Sequence, residues 1–109
     1  MLQALGKLSE AMTLFQQQEE LARNMGDNRA TAASLAEQAL ILWRSGNAAK
    51  ALDRLYEVER ISRAEGDRLW TSVSLGHQSS ILTDLGRLGD AMVLLKRQER
   101  FSRDFGDKH

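Results

Sequence analysis

The chain has 109 residues, enough for one domain with a usable core, and its 15 basic and 15 acidic side chains cancel. A balanced chain lacks the long-range field that gathers nucleic acid or an anionic membrane, so neither partner is expected. There is no cysteine, which excludes disulfides, thiolate metal sites and thiol nucleophiles; with no apolar run of membrane-spanning length, a cytoplasmic protein is expected.

Glycines punctuate the chain. Gly6, Gly46 and Gly86 recur every 40 residues, and Gly26, Gly66 and Gly106 fall midway between them at the same interval. Residues 2–5 read as the last turn of a helix closed by Gly6. A helix over 9–25 follows, with Ala11, Leu14, Phe15, Leu21, Ala22 and Met25 on one stripe. Leu35, Ala39 and Leu42 mark a second helix over 28–45, and Ala51, Leu55, Val58 and Ile61 a third over 49–65. Leu75, Ile81, Leu82 and Leu85 place a fourth over 68–85, and Ala91, Leu94, Leu95, Phe101 and Phe105 a fifth over 89–105. Each glycine is expected just past a helix, in the left-handed conformation that closes the last turn without a Cβ clash. Asp27 and Asp67 stand where a carboxylate accepts from the free amides of the next helix, so the Gly-Asp pairs, Gly106-Asp107 included, read as joints and not as phosphate loops or metal sites.

A period in this range marks a stacked array whose units cannot bury their apolar faces alone. The expected fold is all-α over a single domain, residues 1–109, with a partial unit at 1–27 and full units at 28–67 and 68–107. Polar residues recur in the same phase. Glu19, Glu59 and Glu99 each precede Arg23, Arg63 or Arg103 by four residues, the favourable order for a helical pair. If the second helix of one unit packs on the first of the next, Gln38 meets Glu19 and Gln78 meets Glu59, giving each acid the partners that burial demands. This row reads either as a structural ladder or as a ligand contact. Glu99 has no following glutamine, which leads to the expectation that the natural array continues past residue 109.

The pattern resembles the tetratricopeptide repeat in a longer-period form. The likeness rests on Leu35, Ala39 and Leu42, on Leu75, Ser79 and Leu82, on the turn residues Gly46 and Gly86, and on Ala51 with Leu55 and Ala91 with Leu95. Gly6, Ala11 and Phe15 agree in the partial unit. Two departures stand out: Arg23, Arg63 and Arg103 occupy the place of a helix-ending proline, and Gln18, Val58 and Gln98 replace a small residue late in the second helix. Such long-period arrays are similar to those of kinesin light chains and bacterial signalling proteins. The resemblance implies a right-handed α-solenoid of about two and a half repeats and, for function, protein or peptide binding on its concave face.

That face is expected on helices 28–45 and 68–85. Ala36, Leu40 and Trp43 form an apolar row flanked by Ala33, Glu37 and Arg44; Gly76, Ser80 and Thr83 match it, flanked by Trp70, Val73, His77 and Asp84. Trp43 and Trp70 stand outside the repeat, at the places of Thr83 and Ala30, and each reads as a groove anchor or as local packing, for Trp70 against the preceding loop. The chaperone-tail clamp of some tetratricopeptide domains needs Lys and Asn here, and only Arg44 is basic. His77 and His109 are the only histidines and no nucleotide-binding fingerprint is present, so no enzyme, metal site or cofactor is expected.

The leading expectation is therefore a non-enzymatic interaction module, and the alternative is a self-associating or spacing segment of a larger signalling protein. RNA binding would need a basic inner face, against which Glu37 and Asp84 speak. Neither end carries a polar capping helix, so Leu14, Phe15 and Leu21 at one end and Phe101 and Phe105 at the other are expected to be uncovered, with homo-oligomers as a consequence.

Overall fold

In a computed structural model the protein is all-helical over its described residues, which are 2–107 for the backbone and 6–100 for the side chains. The elements are α1 Leu2–Asn24, α2 Asn28–Arg44, α3 Ala48–Glu65, α4 Arg68–Asp84 and α5 Leu88–Asp107. Each helix packs on the next in sequence, and α2 also touches α4. Because successive helices reverse direction across tight turns, α2 and α4 run parallel and side by side.

The turns share one geometry. Gly26, Gly46, Gly66 and Gly86 take φ of 70°, 82°, 69° and 77°, the left-handed region that favours glycine. The amide after each glycine reaches back to a carbonyl five residues earlier: Asp27 to Ala22 at 2.9 Å, and Asn47 to Leu42, Asp67 to Ser62 and Arg87 to Leu82 at 2.8 Å. This bond satisfies a carbonyl that the helix end leaves free. Asp27 Oδ1 then accepts from the Ala30 amide at 3.0 Å, and Asp67 Oδ1 from the Trp70 amide at 3.1 Å, so both aspartates cap as their position predicts.

Gly6 and Gly106 depart from that scheme. α1 runs unbroken from Leu2 through Gly6, so there is no separate stub, and α5 runs through Gly106 and Asp107, so the third Gly-Asp pair is not a joint. A glycine costs a helix about 1 kcal/mol relative to alanine but does not stop it. At the four turns a second helix packs back and holds the left-handed residue in place.

The core falls into two clusters. Ala39, Ala51, Leu52, Leu55, Leu75, Ile81, Leu82, Ala91 and Leu94 fill the middle and C-terminal part; Ala32, Leu35, Ala36, Val58 and Ile61 form the other, roofed by Trp70. The stripe expected on α1 is only partly used. Ala22 is buried and Phe15 half-buried, whereas Leu14, Leu21 and Met25 are exposed, because α1 has a helix against one side only. Leu95 and Leu85, expected in the core, are likewise exposed. Phe101 and Phe105 lie outside the residues whose side chains are described.

Ala51 has no exposed surface and Ala91 only 2%. Both sit early in the second helix of a hairpin, where backbones approach most closely. Ala51→Leu is expected to destabilise by about 1–3 kcal/mol through overpacking. Urea denaturation followed by circular dichroism measures this, and an unchanged midpoint would place the close approach elsewhere.

Candidate functional site

The recurring polar residues meet at the helix interfaces. Gln38 has no exposed surface, and its Nε2 donates to Glu19 Oε1 at 2.8 Å; Gln78, equally buried, donates to Glu59 Oε1 at 2.9 Å. The same amides reach the Phe15 and Leu55 carbonyls at 3.3 and 3.4 Å. Ser34 and Ser74 add hydroxyl bonds to those two carbonyls. Each first helix is thus keyed onto the preceding helix at the same point in both units.

Arginines complete the arrangement. Arg23 and Arg63 donate to Glu19 and Glu59 at 2.8 Å, the intrahelical pairs that their spacing predicts. Arg103 lies outside the residues whose side chains are described. Arg23 also reaches Glu57 on α3 at 2.5 Å, and Arg97 on α5 reaches Glu59 at 3.1 Å, so ion pairs span alternate helices in opposite polarity. Burial pushes the carboxyl groups of Glu19 and Glu59 up, but hydrogen bonds from Gln38 and Gln78, then bonds and charge from the arginines, outweigh it and hold both below the usual value of 4.5.

The two units differ at one decisive atom. Gln38 Oε1 accepts from Arg54 Nε at 3.1 Å, while Gln78 Oε1 finds no protein partner among the described residues. The repeat explains this, since Leu94 stands where Arg54 stands one unit earlier.

The candidate binding residues lie along the α2–α4 seam. Trp43 Nε1 donates to Asp84 Oδ2 at 2.6 Å, joining the C-terminal ends of the two helices, and the half-buried Trp43 ring packs on the larger core cluster. At the other end Trp70 packs on the cluster of α2 and α3 residues. Both tryptophans therefore pin the seam. Between them Ala33, Leu40, Val73 and His77 are half-buried, and Glu37, Arg44 and Ser80 are exposed. Ala36 is buried in the smaller core cluster and does not extend the surface row. His77 Nδ1 is buried without a partner among the described residues, and Ser80 Oγ donates to the Gly76 carbonyl at 3.2 Å. Gly76 leaves room for Gln98 of α5, whose Nε2 would lie 3.2 Å from a Cβ there.

Sequence reasoning missed Arg54 and Arg97 as partners of the buried amide and acid. It also missed an open groove of about 380 Å³ between α1 and α2, lined by Phe15, Leu21 and Ala30 among others. The available signal was the non-repeating pair Ala30 and Trp70. No group of three or more metal-ligating side chains occurs among the described residues, and none of their helices is long and apolar enough to cross a membrane. The chain matches no family model, no curated protein and no solved structure.

Two stability predictions follow from the interface chemistry. Gln38→Leu removes the donor to Glu19 and strands Arg54, and is expected to cost about 1.5–3 kcal/mol. Gln78→Leu should cost less, since it also removes an acceptor that has no partner; denaturation midpoints that rank the two in reverse would refute this ordering. For acidity, a carboxyl held below its unfolded value binds its proton less tightly in the folded chain. Its stabilisation is complete above the unfolded value and is lost as pH falls from about 4.5 through the depressed folded value. Urea titrations from pH 6 to pH 3 should show falling stability with a smaller slope in Glu59→Gln than in the parent; equal slopes would remove Glu59 from the account.

Proposed function

We propose that the chain is a non-enzymatic protein-interaction module, a right-handed tetratricopeptide-like solenoid of about two and a half repeats whose parallel helices α2 and α4 present one continuous binding face. The observation that carries this reading is the pinned seam. Trp43 with Asp84 at one end and Trp70 at the other hold the two helices side by side, and the surface between them mixes half-buried apolar groups with exposed polar ones. A rigid surface of that kind favours a peptide, because little ordering is needed when it binds. The mixture of Glu37, Arg44 and Asp84 gives no uniform sign for a polyanion to follow.

A second reading, self-association through the helical ends, draws on a different observation. Leu14 and Leu21 on α1 and Met92, Val93 and Leu95 on α5 are all exposed. Such surface is used either by a partner or by another copy.

Peptides selected from a random display library on the immobilised protein discriminate the two. Ser80→Arg alters the α2–α4 face at an exposed position with little effect on packing, and should weaken selected peptides by about tenfold, near 1.4 kcal/mol. Lys96→Ala, exposed on α5, should leave their affinity unchanged. Peptides indifferent to Ser80→Arg would sink the inner-face reading, and a concentration-dependent sedimentation coefficient abolished by Leu95→Glu would favour the second.

A further inference from the structure

The repeat makes the second unit a template for the first. In the second, Ile61 and Val58 are covered by α2 and by the ring of Trp70, and Ile61 is 7% exposed. Beside that ring Asp67 faces a cation, Arg29, whose Nε lies 3.9 Å from its carboxylate. One unit earlier Ala30 replaces the tryptophan, and Leu21, the counterpart of Ile61, is 61% exposed. The space is the open groove of about 380 Å³ between α1 and α2, with Phe15, Leu21 and Ala22 on one wall and Ala30 and Ala33 on the other. Two carboxylates, Asp27 and Glu37, also line it, no basic side chain does, and neither acid has an ion-pair partner among the described residues.

We propose that this groove is a docking subsite for an aromatic side chain of a partner polypeptide, flanked by lysine or arginine. The shape supplies the aromatic half of the requirement. A ring seated as Trp70 is would cover Leu21, the counterpart of Ile61, which the rest of the fold leaves open on that side. Charge supplies the other half, since a basic neighbour would stand toward Asp27 as Arg29 stands toward Asp67 and would face Glu37 as well. The proposal rests on the reading of the chain as an interaction module, but it involves a different surface from the α2–α4 seam, sharing only Ala33 and Glu37 with it.

The test uses the whole chain and three capped tripeptides, Lys-Trp-Lys, Glu-Trp-Glu and Lys-Ala-Lys, followed by amide chemical shifts. Lys-Trp-Lys is expected to give saturable shifts at Ala30, Ala33 and Glu37; Glu-Trp-Glu should bind about two- to fivefold more weakly, the range of exposed charge pairs, and Lys-Ala-Lys should produce none. Ala30→Trp should fill the groove from within. It is expected to raise the urea midpoint and abolish the shifts caused by Lys-Trp-Lys. A lowered midpoint, binding that survives Ala30→Trp, or equal binding of the lysine- and glutamate-flanked peptides would overturn the proposal. If Lys-Trp-Lys does not bind and Ala30→Trp instead abolishes self-association in sedimentation, the occupant is a second copy and the proposal falls. Should Lys-Trp-Lys fail while Ser80→Arg still weakens library-selected peptides, the groove proposal falls and the seam reading stands.

Discussion

A buried amide that must be satisfied fixes how the helices stack. Gln38 and Gln78 have no exposed surface, and an unpaired amide at such a place would cost about 1–3 kcal/mol. On the preceding helix each amide meets the carbonyl of residue 15 or 55 and the carboxylate one turn later at Glu19 or Glu59, and Gln78 also donates to Ser74 Oγ of its own helix at 3.1 Å. Apolar packing alone tolerates a helix sliding by a turn, because leucine meets leucine again. The amide does not tolerate it. Register is therefore set by polar chemistry, and the alanines at the hairpin crossings then set how closely the backbones approach.

Around that fixed point the two units solve local packing differently. Ala36 and Val58 share a cluster in the first interface; in the second Gly76 meets Gln98. Volume has moved from one helix to its neighbour. The larger side chain carries an amide, which donates to the Ser72 carbonyl at 3.2 Å and so avoids an unpaired donor. The same exchange accounts for the departure of Gln98 from the small residue of the repeat pattern. In the charged layer, Leu94 replaces Arg54 and Arg97 replaces Glu57, so Glu59 keeps a cross-helix partner while the glutamine beside it loses one.

How much of this was legible depends on whether a residue acts through the repeat. The four glycine turns, the caps at Asp27 and Asp67 and the Gln–Glu pairs recur in phase, and recurrence at a fixed interval reports shared geometry. Gly6 and Gly106 recur too, yet lie within helices, because the sequence interval carries no information about whether a second helix packs back at that point. Leu14 and Leu21 are exposed, as expected of an uncovered end, for a related reason. Periodicity shows that Leu14 and Leu21 face one way, but burial needs a neighbour on that side. Trp43 could be recognised as exceptional, but not as the donor to Asp84, since that contact joins residues 41 apart at positions with no counterpart in the other unit.

The positions that differ between units are those left over once the shared packing is complete. Leu35, Leu75, Gln38 and Gln78 are committed to the interfaces and have little freedom to change without loss of register. Ala30 against Trp70, Glu37 against His77 and Trp43 against Thr83 take no part in those register bonds. Each lies at or beside the seam or the open groove. A stacked helical array can thus vary its surface at these places while its register remains fixed by four buried polar residues, Ser34, Gln38, Ser74 and Gln78.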